Sequence, residues 1–201
     1  MKLRQLEMQL QRVRGFSSPR PKAEQYMTPA PLAARMLFHA AMNGDIIGLR
    51  VCDLGCGTGM LSIGAALLGA DVTAVDFDTA TLAVARDNAD LFDADITFLE
   101  ARIYDGIFPD IAADTVVMNP PFGAQKEHAD RPFIAAALAA APVCYGIFNA
   151  GSIPFVTAYT KGRAELVEKI SASFTVYRQF FFHTRDVLEI PVEIVHLERI
   201  R

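Results

Sequence analysis

Cysteine is scarce in this 201-residue chain, and the three that occur, Cys52, Cys56 and Cys144, are an odd number with no Cys-x-x-Cys spacing. That argues against a disulfide framework and against a zinc site; the three read as buried thiols in a reducing cytoplasm. Histidine is equally thin. His39 and His196 lie in apolar segments and His128 in a polar loop, with no ligand spacing, so no metal is expected. No apolar run approaches roughly 18 residues, so no membrane span is expected. Arg4, Glu7, Arg12 and Arg14 break up the N-terminal segment, which reads as a charged amphipathic stretch and not as a signal peptide. An excess of positive charge is missing too: 19 Lys and Arg face 23 Asp and Glu, a net charge of −4, which disfavours a generic nucleic-acid binder. Low-complexity runs are lacking, and 52% of the residues are apolar, so one globular domain over 1–201 is expected, with an N-terminal helical extension over about 1–45.

Two motifs stand out against this background. Leu49 to Leu54 is a strand-like run, followed by Gly55-Cys56-Gly57-Thr58-Gly59 and a helical stretch from Met60 to Leu68. Strand, glycine turn and helix in that order open a nucleotide-binding α/β unit, the glycines letting backbone approach a ligand without a Cβ in the way. A second strand, Val72 to Val75, ends at Asp76, about 20 residues on, where a carboxylate can accept from ribose hydroxyls. The dinucleotide fingerprint is not met: Gly59 arrives one residue early, and Met60 stands where the third glycine belongs. No Lys-Ser/Thr pair follows to make a phosphate loop. A nucleoside ligand without phosphates fits better, and S-adenosylmethionine is the obvious one.

The second motif is Asn119-Pro120-Pro121-Phe122, at the end of the β-branched run Asp114 to Met118. Two prolines fix φ and remove two N–H donors, so the turn offers acceptors and little else. An Asn side-chain oxygen beside the carbonyl of Pro120 matches the two hydrogens of an exocyclic amine. Phe122 supplies a flat face for a heterocycle. A plain strand-ending turn with an inward aromatic would explain the tetrapeptide alone, and the glycine turn and Asp76 weigh against that.

Asp53-Leu54-Gly55-Cys56-Gly57-Thr58-Gly59 together with Asn119-Pro120-Pro121-Phe122 resembles the class I S-adenosylmethionine-dependent methyltransferases of amino nitrogens. Leu6 to Phe16, Glu24-Gln25-Tyr26-Met27-Thr28, Ala33 to Leu37, Leu61 to Gly64 and Met118 to Gly123 are similar to one of its families in particular, the methyltransferase-like protein five family, archaeal or diverged in type. Its members are adenine-N6 methyltransferases of small-subunit ribosomal RNA. The likeness spans nearly the whole chain, is densest in residues 1–125 and thins toward the C-terminus. It implies a Rossmann-like α/β fold, a seven-stranded sheet mainly parallel with an antiparallel last strand and helices on both faces. It implies that Asn119, Pro120, Pro121 and Phe122 are catalytic. It implies that Gln25, Tyr26, Thr28, Asp53, Gly55, Gly57, Thr58, Met60, Asp76, Phe77, Ile103 and Asn119 border the cofactor, S-adenosylmethionine. The acidic residue usual after the third strand, near the cofactor adenine, is here Arg102; either backbone alone reads the adenine, or Asp105 substitutes after a local shift.

The resemblance also implies an RNA substrate and a small zinc-binding activator protein docked by strand addition. The apolar edge for that partner would be Ile96 to Leu99, with Ile107, Phe108 and Ile111 after it. The tetrapeptide marks reaction type more than acceptor, so DNA adenine and protein glutamine remain alternatives. Against DNA stands the lack of a separate target-recognition domain; against glutamine, Phe122 where those enzymes usually carry Tyr. A non-catalytic cofactor-binding scaffold is the alternative of another class.

Along the chain, residues 2 to 14 read as a helix and Ser17 to Pro21 as a loop. Thr28 reads as the N-cap of a helix begun by Pro29 and running to about Ala41. Thr79 to Leu91 is a helix, Ile96 to Leu99 a strand, Arg131 to Ala140 a helix and Val143 to Phe148 a strand. Lys161 to Ser171 reads as a helix, and Phe174 to Phe182 and Ile190 to Leu197 as the last strands. Lys2, Arg4, Arg12, Arg14, Arg20 and Lys22 make a basic arm that could meet phosphates, as could Lys126, His128 and Arg131 past the tetrapeptide. Phe180 to Phe182 reads as core before it reads as a base-stacking face.

Overall fold

The computed structural model describes residues 1–16, 26–104, 110–122, 129–177 and 187–200. Expectations on Ser17 to Pro21, Lys22, Gln25, Asp105, Ile107, Phe108, Gly123, Lys126, His128 and Phe180 to Phe182 lie outside those residues. Seven strands form one sheet in the order β3-β2-β1-β4-β5-β7-β6. They are β1 (Arg50–Leu54), β2 (Asp71–Asp76), β3 (Ile96–Glu100), β4 (Thr115–Met118), β5 (Val143–Asn149), β6 (Ala164–Tyr177) and β7 (Val187–Arg199). The first five are mutually parallel; β7 runs antiparallel between β5 and β6. The expected seven-stranded sheet with an antiparallel last strand is what forms.

Among the described residues six α-helices cover the two faces: α1 (Leu3–Leu10), α2 (Ala30–Met42), α3 (Met60–Leu67), α4 (Thr79–Asp90), α5 (Arg131–Ala140) and α6 (Ile153–Thr160). Leu6, Leu10, Met36, Leu37 and Ile63 from α1 to α3 pack on Val51, Val117, Ile147 and Ile194 of the sheet. On the opposite face Ile134, Leu138 and Val156 of α5 and α6 meet Leu54, Met118, Phe148, Val195 and Leu197. Because β1 and β4 are buried on both faces they read as continuous apolar runs, which is why they were visible in the sequence.

Three expectations are corrected. Helix α1 stops at Leu10 instead of Arg14, because the Arg14 N–H donates to Asn88 Oδ1 (3.0 Å) and its carbonyl accepts from Asn88 Nδ2 (2.9 Å), tying it to α4. Thr28 does not cap α2: Pro29 is the N-cap residue and no side chain caps the turn. Lys161 to Ser171 is not a helix but the turn into β6 and its first half. The pairing of β6 with β7 slips between Leu166 and Glu168. Ala164 and Leu166 therefore belong to the face of α5 and α6, whereas Ile170, Ala172 and Phe174 belong to the face of α1 to α3. A bulge of one residue moves the apolar set across the sheet and replaces the period of two with a four-residue gap between Leu166 and Ile170, which imitates a helix. The short α6 went unread.

Candidate active site

Chain connectivity reverses direction between β1 and β4, the place where open α/β sheets collect ligands beyond the strand ends. Leu54 lies opposite Val75 on one side and Met118 on the other. Gly55, Asp76 and Asn119 are the next residues of three adjacent strands, so register alone brings them to one level.

The glycine turn is built by positive φ angles, 74° at Gly55, 54° at Gly57 and 85° at Gly59, which side chains with a Cβ resist. Gly55 and Cys56 N–H groups both donate to the Val75 carbonyl, at 2.8 and 2.9 Å. Asp76 completes the turn: its carboxylate accepts from the Gly57 N–H and the Asp78 N–H, each at 3.0 Å. Burial raises its pKa and these N–H groups counter that. Asp78 then caps α4, accepting from the Ala80 and Thr81 N–H groups.

Asp53, only 1% exposed, accepts a 2.5 Å hydrogen bond from the Ser62 hydroxyl on its Oδ2, while Oδ1 has no partner. Burial is the main cause that pushes its carboxyl up to about 7, the Ser62 hydrogen bonds working the other way. Asn119 is similarly one-sided. Its Nδ2 donates to Thr28 Oγ1 at 2.9 Å, and its Oδ1 is buried without a partner. Two buried oxygens without partners, one on β1 and one just past β4, suit a ligand bearing a cationic amine and a second group bearing N–H donors.

The other anticipated residues take varied places. Tyr26 is half-buried against the first core and Thr28 is buried. Thr58 is buried, its carbonyl accepting from Asn88 Nδ2 at 2.9 Å. Met60 opens α3 with its side chain in the core. Phe77 is exposed beyond Asp76 and carries the Arg102 guanidinium 4.8 Å from its ring centre; Tyr104 lies 5.5 Å from the same guanidinium. Ile103 is half-buried against the second core. Pro120 is buried, Pro121 half-buried, and Phe122 meets Phe174 edge-on at 5.4 Å. Arg131, a candidate phosphate contact, is turned instead onto Phe155, 4.9 Å from the ring centre. Sequence reasoning missed Ser62 and Asn88, since a lone Ser or Asn inside a helix carries no local signal. It also missed Phe133, whose ring lies 2.9 Å from where a Cβ on Gly55 would sit.

Residues 33–179 match the family described as methyltransferase small domain. The chain belongs to that family. The methyltransferase is 36% identical over its whole length to an uncharacterised Methanocaldococcus jannaschii protein, 95% of which is covered. It is 31% identical to the rRNA N(6)-adenosine-methyltransferase METTL5 of Danio rerio over 97% of this chain and 98% of that one. The crystal structure of PH1948 from Pyrococcus horikoshii superposes with a TM-score of 0.91 at 33% identity, covering 100% and 99% of the two chains. The resemblance read from the motifs thus holds over the full chain, and the enzyme is an S-adenosylmethionine-dependent methyltransferase. No helix among the described residues is long and apolar enough to cross a membrane.

Proposed function

We propose that this methyltransferase transfers a methyl group to the N6 amine of an adenine in small-subunit ribosomal RNA. The observation that carries the reading is the unpartnered, buried Oδ1 of Asn119, held at the same level of the sheet as the glycine turn and Asp76. The choice of RNA is supported by the METTL5 relative, similar from end to end.

When bound, S-adenosylmethionine supplies a methyl group on a positively charged sulfur that departs as a neutral thioether. The glycine turn would let backbone approach its nucleoside, Asp76 would accept from the ribose hydroxyls, and the unpartnered Oδ1 of Asp53 would take its amino group. Asn119 Oδ1 and the Pro120 carbonyl accept the two hydrogens of the adenine amine. Drawing both hydrogens to one side pulls the nitrogen toward tetrahedral geometry and frees a lone pair otherwise spread into the ring. The same acceptors stabilise positive charge growing on nitrogen, fixed in place before the reaction begins. The surplus proton leaves afterwards to water, because the alkylated nitrogen is acidic. Phe122, steadied by Phe174, stacks on a base that has left its own stack.

A small zinc-binding activator would add to the sheet at β3, which pairs with β2 on one side and ends the sheet on the other. Leu99 is exposed there, whereas Ile111 packs into the second core. Three free, buried thiols accord with a reducing cytoplasm.

The test incubates the protein, alone and with such an activator, with labelled S-adenosylmethionine and small-subunit ribosomal RNA, DNA or a release factor, and identifies the product by mass spectrometry. N6-methyladenosine from the RNA arm is expected; label only in DNA or in glutamine would move the acceptor elsewhere. Asn119→Ala should keep cofactor affinity and lose most transfer, about 10²-fold or more.

A further inference from the structure

Thr28 stands directly before α2, and its hydroxyl is not spent on the helix: Pro29 occupies the N-cap, with no side-chain bond to the first turn. That hydroxyl lies 2.9 Å from Asn119 Nδ2 and accepts from it, across 91 residues of chain. Thr28 is 7% exposed, so the bond is shielded from water. An amide held at one end by a hydrogen bond loses freedom to swing about its χ angles, so the other end keeps its place before an acceptor arrives.

We infer that Thr28 is a positioning residue that anchors the Asn119 amide at one end, so that its other end is held in place toward the acceptor amine. Thr28 Oγ1 accepts from Nδ2, and Oδ1 is the atom without a protein partner. The inference rests on the reading of Asn119 given above and adds a role distinct from lining the cofactor pocket. A wall of the pocket acts on affinity; a residue that orients Asn119 acts on transfer after both substrates are bound.

Single-turnover transfer to a small-subunit ribosomal RNA transcript at saturating labelled S-adenosylmethionine, with cofactor Kd from calorimetry, separates the two. Thr28→Val removes the acceptor at nearly constant volume. It should slow transfer by about 10²-fold, the scale of a misplaced reacting group, with Kd within about threefold of the parent. Thr28→Ser restores the acceptor and should recover the rate to within about threefold. Thr28→Ala removes the same acceptor and stands in should the valine variant fold poorly, the calorimetric Kd reporting an intact pocket. Combined with Asn119→Ala, Thr28→Val should add no further loss, since it acts through the group already removed. A Thr28→Val enzyme that binds the cofactor weakly yet transfers at the parental rate once saturated overturns the inference, as does a full additional loss in the double variant. Near-parental transfer by Asn119→Ala alone would instead defeat the functional reading beneath it.

Discussion

Asp53 concentrates the electrostatics of the site in a single side chain. Its carboxyl is pushed from an ordinary 3.8 to about 7, chiefly by burial. Between those values the folded chain keeps a proton that the unfolded chain has released. The stabilising contribution is therefore complete below about pH 4 and is lost as pH rises through about 7. We expect the melting temperature of the cofactor-free protein to fall across that interval, and Asp53→Asn to flatten the fall, in calorimetric scans at constant ionic strength. The opposite trend is expected for the ligand. In the proposed function a cationic amino group meets this carboxylate in its ionised form, so cofactor affinity should rise with pH over the same interval. Asp53→Asn should weaken it by about 10- to 100-fold, the worth of a hydrogen bond to a charged partner. Asp53 was legible as part of a motif, but its protonation was not, because burial and the Ser62 contact emerge only once α3 has packed behind β1.

At the scale of elements, the contact among α1, α2 and α3 is set by one small residue. A Cβ on Gly64 would lie 2.4 Å from Leu37 Cδ1 and 3.3 Å from Leu10 Cδ1, both in fully buried side chains. Replacing Gly64 by Ala gains about 1 kcal/mol of helix propensity. It also inserts a methyl group where overpacking costs about 1–3 kcal/mol. Both leucines are fully buried, so overpacking should outweigh the propensity gain, and Gly64→Ala should lower stability by up to about 2 kcal/mol in urea titrations. An increase in stability would show the three-helix contact to be looser than it looks. The elements that the sequence revealed are those with a pure period or a continuous apolar run: β1, β4, α5 and β5 came out nearly to the residue. The element it hid, the first half of β6, is hidden by physics. The slip between Leu166 and Glu168 hands the buried positions from one face of the sheet to the other, and Glu165, Glu168 and Lys169 around Leu166 and Ile170 then copy an amphipathic helix. Helix α6 escaped because eight residues with Pro154 at their start carry too short a period to notice.

Across the whole molecule, the strand order places the glycine turn, Asp76 and Asn119 together with no contribution from loop detail, which is why the candidate site could be read before the fold was seen. What could not be read is how the N-terminal segment is tied to that site. Asn88, fully buried on α4, uses every hydrogen-bonding group of its amide on this task. Its oxygen accepts from the Arg14 N–H, and its two N–H groups reach the carbonyls of Arg14 and Thr58, each at 2.9 Å. The basic N-terminal segment and the glycine turn are thus joined through one side chain, and Phe16 lies 3.3 Å from where a Cβ on Gly57 would sit. Asn88→Ala takes the partner from one donor and two acceptors; the Thr58 carbonyl is buried and the two Arg14 groups part-buried, at about 1–3 kcal/mol for each that water cannot reach. Partial entry of water into the vacated space should bring the net loss to about 2–4 kcal/mol. A general core defect would speed amide exchange evenly over the sheet. The loss of a tie should instead raise exchange first in residues 3–16 and at the glycine turn, with β4 and β5 still protected, and should weaken cofactor binding in proportion. Exchange measured by mass spectrometry distinguishes the two patterns. Uniform acceleration, or an unchanged N-terminal segment, would show that Asn88 fills space and couples nothing.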